Sequence, residues 1–377
     1  MSSTRGGFTV SVALMAFVVA AGCAIDEKAT TPLAGTSPAL AERHPSLDTL
    51  DFRAVGLAWL NDATVAVLDR DDQQIVALGL TDGSQRRVAG RGGGPGELES
   101  AFMLLGGEDG SLLVGDMRLR RVSEFDAGLA YLRAARIPGL PIALLARRGD
   151  RVTAIWIDFR MNDEGGVTFQ PIVGEVDLAR GEAREFFSLF EPGSGRLAPP
   201  ETDNPFAPPF IAATMSEDGL ILVGQSMEYR VIALDSTGVV RKSFERPELE
   251  QPYLTEEEQA AERRRMGERA ARGEQTPPGM RRMMDEALEA PRPYFGPGAL
   301  SLDSAGRLWV ITERSRADST EVDVFDSDGV YLKTLVLRDR VQVLAFRESR
   351  IAALVTRRAP ELEGIPGIDL YRVVGQD

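Results

Sequence analysis

The stretch from Asp218 to Gly238, DGLILVGQSMEYRVIALDSTG, reads as one hairpin and decides the fold. Asp-Gly supplies the left-handed backbone position that a tight turn needs. LILVGQ and then YRVIAL are short, β-branched runs of strand character, and Asp235-Ser-Thr-Gly238 turns the chain again. The phrase recurs along the chain. Asp109-Gly110 leads into SLLVGD, then Val122–Phe125 and a turn at Asp126–Gly128. Ala305-Gly306 leads into RLWVIT, then Glu321–Phe325 and Asp326–Gly329. Weaker copies begin at Asn61-Asp62, Gly149-Asp150 and Glu348-Ser349.

Two stretches, 191–209 and 247–298, break the pattern between residues 51 and 374. Without them, six units take about 42 residues each, against about 36 for seven and about 51 for five, and propeller blades run at roughly 40–50. The expected fold is therefore all-β, a six-bladed β-propeller with a helical hairpin inserted between blades 4 and 5. Ring closure covers the sheet edges that separate blades would expose. The last blade lacks a strand at the C-terminus, and Leu47–Arg53 is expected to supply it.

The hairpin repeat and the linker Arg91-Gly-Gly-Gly-Pro-Gly-Glu-Leu98 resemble the six-bladed propeller lipoproteins of Bacteroidetes- and Gemmatimonadetes-type bacteria, and more distantly NHL-repeat propellers. That resemblance covers residues 51 to 374 and implies a fold. It implies no particular reaction.

The start of the chain has its own logic. One cation, Arg5, precedes Phe8–Ala20, an apolar run of 13 residues, too short to span a bilayer. Its end, Ala20-Ala21-Gly22-Cys23, resembles the bacterial lipobox, in which the peptide is cut before the cysteine and the thiol acylated. Cys23 is the only cysteine of the chain. The expected organisation is a signal peptide over 1–22, lipidation at Cys23, a flexible tether over 23–46 and the propeller over 47–377. His44 falls in the tether as an exposed bystander. No Asp follows the cysteine, so the signal resembles the outer-membrane type.

Composition narrows the function. With 57 acidic against 43 basic side chains and a net charge of −14, nucleic acid is not an expected partner. One cysteine and one histidine exclude a disulfide framework and Cys- or His-based metal clusters. Arg91–Gly96 lacks the Lys-Ser/Thr ending of a phosphate loop and reads as an inter-blade turn.

Asp69, Asp116 and Asp158 each end a strand read as the second of its blade. They are weak metal candidates, and the commoner role of such Asp residues is to accept backbone N–H bonds. Lactonase-type propellers hold a divalent ion with Glu, Asn and Asp. Here Asn61, Asn162 and Asn204 are all read off the inner strands, which counts against a metal-assisted hydrolase or lactonase in the channel. Trp59, Trp156 and Trp309 are read as inter-blade packing.

Links between blades open on the same face as the middle-hairpin loops, so both insertions and the glycine-rich linker share one face. Arg118, Arg120, Arg121, Arg160, Tyr229 and Arg314 stand there as ligand-face residues, arginine being suited to bidentate recognition of carboxylate or sulfate.

In the insertion, Thr255-Glu-Glu-Glu258 is a capping-box pattern opening a helix over about 256–272, with a second after Pro278. Met266, Met280, Met283 and Met284 give it an apolar face that either packs down or meets a ligand. The expected protein is a monomeric, lipid-anchored binding module of the cell envelope with no catalytic residue or cofactor assigned, the alternative being a metal-assisted hydrolase or lactonase with its site in the central channel. Its expected partners are the membrane through its lipid, and an envelope protein, glycan or small anionic ligand.

Overall fold

The structure, a computed structural model, describes residues 38–161, 167–191, 193–197, 211–271, 282, 285–286, 288–314, 319–357 and 364–373. Cys23 and the expected signal peptide lie outside them.

The chain enters through β1 (Pro38–Leu40) and a 3-10 turn at Pro45–Leu47. Blade 1 is β2 (Ala54–Asn61), β3 (Thr64–Asp69), β4 (Gln74–Gly79) and β5 (Gln85–Val88). Blade 2 is β6 (Ala101–Gly106), β7 (Leu112–Asp116), β8 (Arg121–Phe125) and β9 (Tyr131–Arg136). Blade 3 is β10 (Leu140–Arg148), β11 (Arg151–Met161), β12 (Val167–Asp177) and β13 (Glu182–Ser188). Blade 4 is β14 (Ile211–Met215), β15 (Ile221–Gln225), β16 (Arg230–Leu234) and β17 (Val240–Glu245). After α1 (Glu256–Ala271), blade 5 is β18 (Leu300–Leu302), β19 (Leu308–Ile311), β20 (Ser319–Phe325) and β21 (Tyr331–Arg338). Blade 6 is β22 (Arg340–Arg347), β23 (Arg350–Arg357) and β24 (Ile365–Val373), completed by β1. Six antiparallel sheets of four strands form a six-bladed β-propeller.

Apolar clusters between the blades hold the ring. Val65 and Val67 face blade 6, with Leu354 and Ile368, while Ala66 and Leu68 face blade 2, with Leu112 and Val114. The period-2 alternation of a strand thus feeds both faces of each sheet. All three tryptophans lie in such clusters, as their sequence setting implied. Trp156 is fully buried between Gly139 and Gly174, and a Cβ on Gly174 would stand 2.1 Å from its ring. Trp59 donates its indole N–H to the Ala345 carbonyl of blade 6 at 2.9 Å.

The Asp-Gly turns take the left-handed conformation at Gly110 (φ 78°) and Gly219 (φ 93°). Two turns differ from expectation. At Asn61-Asp62 no residue has positive φ; the Asn61 side chain accepts the Ala63 N–H instead, at 2.9 Å. At Asp126–Gly128 the left-handed residue is Leu129 (φ 58°), which buries its side chain as it turns.

The closing strand is β1, not Leu47–Arg53. Pro38 pairs with Val373 and Leu40 with Tyr371. Leu47, Leu50 and Phe52 are instead buried as a plug between blades 6 and 1, because the chain crosses there to reach the inner strand of blade 1. The folded body therefore begins by Pro38, inside the expected tether. His44 is no bystander either: it caps the 3-10 turn, its Nδ1 accepting the Ser46 N–H at 3.2 Å.

Between blades 4 and 5 the capping box forms as written. Thr255 Oγ1 accepts the Glu258 N–H at 3.3 Å, and Glu258 Oε2 accepts the Thr255 N–H at 2.7 Å. The segment packs down through buried Leu254, Leu288, Tyr294 and Phe295. Of the expected methionine face, Met266 is half-buried and Met280, Met283 and Met284 lie outside the described residues. No helix among the described residues is long and apolar enough to cross a membrane.

Candidate functional site

The chain runs along each inner strand away from one face and returns to it along the second. The second-to-third-strand loops and the links between blades therefore share that face, and the other face carries only short turns. The rim of the central channel on this face is built by the residues just before each inner strand and just after each second strand.

Asp69 and Asp116 end second strands there, as read from the sequence, and both are buried. Asp69 accepts the N–H groups of Asp71 (3.1 Å) and Asp72 (3.3 Å) and pairs with Arg87 (3.1 Å). Asp116 accepts from Glu99 (2.7 Å), Ser100 (3.2 Å) and Leu119 (2.9 Å). These carboxylates shape their loops by satisfying otherwise orphaned amides. Asp158 is not terminal: β11 continues to Met161, because this hairpin runs well past those of its neighbours. Among the described residues no three His, Cys, Asp or Glu side chains group closely enough to hold a metal.

The inner strands β2, β6, β10, β14, β18 and β22 contain no Asp, Glu or His. Asn61 does end an inner strand, against the sequence reading, but at the end away from the rim, where it is engaged with the Ala63 turn.

Most of the expected ligand-face residues are occupied internally. Arg121 donates to the carbonyls of Gly93 (3.2 Å), Gly94 (2.9 Å) and Glu97 (2.5 Å), holding the glycine-rich linker as an inter-blade turn. Arg118 is exposed and pairs with Glu99 at 3.1 Å. Arg120, in left-handed backbone (φ 48°), reaches the Pro138 carbonyl at 3.5 Å. Arg160 sits on β11 opposite Thr168, and its side chain lies outside the described residues.

Tyr229 and Arg314 meet on Asp323, which is fully buried between blades 4 and 5. Tyr229 donates its hydroxyl at 2.5 Å, Arg314 lies at 2.7 Å, Arg246 at 3.2 Å, and Thr334 also donates. Burial, then the Asp323 charge, push the Tyr229 phenol well above its ordinary value. The residues brought together here form a structural pin.

On the rim, Glu313 is shared by Arg292 (3.3 Å) and Arg340 (3.2 Å). Two features that sequence reasoning missed belong to the same face. Arg53 and Arg70 stand together in blade 1, the Arg70 N–H donating to the Arg53 carbonyl at 2.9 Å. On the extended hairpin of blade 3, Phe159 and Phe169 pack edge to face at 5.3 Å, yet are 46% and 58% exposed. The unusual length of the two runs flanking 162–166 was the signal for that projection.

The fold and this face define a β-propeller of six blades. No family model and no curated protein matches the chain in sequence. In structure it is similar to a DUF4221-family protein from Bacteroides vulgatus (TM-score 0.54, 10% identity, covering 90% of this chain and 98% of that one). It is similar too to a luciferin-regenerating enzyme (TM-score 0.51, 13% identity, covering 90% and 96%). A protein of unknown function from Bacteroides thetaiotaomicron matches with TM-score 0.50 and 13% identity, covering 90% of this chain and 72% of that one. Likeness at this level speaks for the fold, and function rests on the site.

Proposed function

We propose that this chain is an exported, lipid-anchored β-propeller of the cell envelope that acts as a non-catalytic binding module through the face carrying its interblade links. The observation that carries this reading is the distribution of exposed aromatics. Among the described residues, the exposed aromatic side chains are Phe159, Phe169 and Tyr253, and all three belong to that face. Aromatic side chains left in water on a single face are what partner surfaces are made of. The carboxylate-free inner strands support binding over metal-assisted hydrolysis.

The anchor fits the same geometry. Pro38 enters the body opposite Val373, the end of β24 farther from the aromatic face. A lipid at Cys23 therefore leaves that face free to meet a partner.

Two measurements test the reading. Mass spectrometry of the mature protein should find an acylated Cys23 at the N-terminus, and Cys23→Ser should move the protein out of the membrane fraction. A photo-crosslinker at Phe169 should give envelope adducts that the same group at Asp218, on the opposite face, does not. An intact Met1 removes the anchor, and equal labelling from both positions removes the binding face.

A further inference from the structure

Among the described residues, most arginines around the channel rim are answered by the protein itself. Arg340 and Arg292 share Glu313, Arg314 holds Asp323, and Arg357 holds Asp369. Blade 1 differs. Among the described residues, neither Arg53 nor Arg70 has a carboxylate within ion-pair distance or a side-chain hydrogen bond. Of the acids nearby, Asp69 and Asp51 are both bound by Arg87, each at 3.1 Å, and Asp71 acts on Arg70 only at longer range than an ion pair.

We propose that Arg53 and Arg70 form an oxyanion site at the mouth of the central channel, taking a small ligand through a doubly charged phosphate or sulfate group. This deepens the binding-module reading and rests on it.

The platform is built rather than incidental. Arg53 directly precedes the inner strand β2 and Arg70 directly follows β3, with the 2.9 Å backbone bond tying the two positions. The turn after Arg70 is fixed on every side. Asp69 accepts its next two amides, Gln73 Nε2 donates to the Arg70 carbonyl at 2.6 Å, and Gln73 Oε1 accepts the Ala101 N–H of blade 2 at 2.8 Å. Gln73 itself is buried in left-handed backbone (φ 54°). Arg91 reaches the same turn by donating to the Asp71 carbonyl.

Energetics point the same way. Arg70 is partly buried, and that burial, followed by the Arg53 charge, lowers its guanidinium from the ordinary value, while Asp71 works weakly against them. Like charges side by side, that of Arg70 partly desolvated, stand at a cost that a dianion relieves, because guanidinium pairs match phosphate oxygens in charge and geometry. The overall charge of −14 gives an anion no long-range attraction, so binding here is short-range and local.

The test is calorimetric titration of the mature chain with inorganic phosphate, sulfate and acetate at low ionic strength. Phosphate and sulfate should bind in roughly the millimolar range or tighter, and Arg53→Gln or Arg70→Gln should each weaken them about tenfold. Arg151→Gln, an exposed arginine on the opposite face already paired with Glu175, should leave binding unchanged. Unaltered thermal melting of the variants separates lost binding from lost folding. Glycerol 3-phosphate distinguishes the sources: tighter binding than inorganic phosphate identifies a phosphomonoester ligand, equal binding the free ion. Absence of phosphate binding, retention of it in Arg70→Gln, or equal binding of acetate overturns the proposal. If phosphate fails while the Phe169 adducts persist, the oxyanion site falls and the binding face stands.

Discussion

Arg357 and Asp369 join adjacent strands of blade 6 in a two-pronged pair, with Nη2 to Oδ1 at 2.7 Å and Nη1 to Oδ2 at 3.0 Å. Arg43, from the N-terminal segment, adds a third contact to the same carboxylate at 2.6 Å. The pair therefore does more than join neighbours: with Arg43 it fastens the segment that follows β1 to the last strand of the ring. Arg357 also donates to Asp339, in the link from blade 5, and to the Asp48 carbonyl at 3.0 Å. Around one buried carboxylate the ring is closed by both β1 and side-chain charge.

That closure makes stability depend on acid. Burial by itself raises the Asp369 carboxyl, but hydrogen bonds from Arg357 and Arg43 overcome it and hold the group below the ordinary range. A depressed carboxylate contributes stability that is complete above the unfolded value of about 4 and is lost as pH falls through the folded value. Asp369→Asn should lower unfolding free energy at neutral pH by about 3 kcal/mol, since it strips charge from a buried cluster. Urea melts at neutral pH and across the acid limb should show that deficit shrinking as acid is added. A deficit that stays constant with pH would mean the carboxylate's charge is not what matters.

Tyr229 and Asp323 give a second prediction, one that separates a structural role from a ligand role. Tyr229→Phe keeps the ring packed against Phe295 and Tyr294 and removes one of the four donors to Asp323. The expected loss is about 1–2 kcal/mol of stability, measured by denaturant, with phosphate affinity unchanged. A change in phosphate affinity without a change in stability would return Tyr229 to the ligand face.

How much of this was legible in the sequence follows from the range of the interactions. Blades announce themselves locally, since each hairpin carries its own turn residues and alternating strands, and the capping box of α1 is complete within four residues. β1 is only Pro-Ala-Leu, with no alternating run, and its meaning comes from pairing with residues more than 300 positions away, as the Arg43–Asp369 separation of 326 shows. Plug residues Leu47 and Leu50 have the same apolar signature as a strand, which is why that segment reads as one. The rim arginines illustrate the other limit. Sequence placed Tyr229 and Arg314 in loops of the face that carries the interblade links, but not their convergence on Asp323. Nor does sequence mark Arg53 and Arg70 as arginines with no carboxylate within ion-pair distance among the described residues, because that depends on Arg87 engaging Asp51 and Asp69.

The insertion offers a last prediction about how the decorated face is coupled to the ring. Thr255→Ala removes the hydroxyl that accepts the Glu258 N–H, and an N-cap of this kind contributes about 1 kcal/mol. α1 is tied to the other arm of its segment by Arg263 and Glu289 at 3.2 Å, while the ring is held by the inter-blade clusters. Loss of the cap should therefore be felt locally. Amide exchange over the first turns of α1 should quicken about fivefold, while exchange in β16 and β20 stays as it was. Faster exchange in those strands as well would show that helix and ring unfold as one unit. In that case the insertion is a structural buttress of blades 4 and 5 rather than a separable element of the binding face.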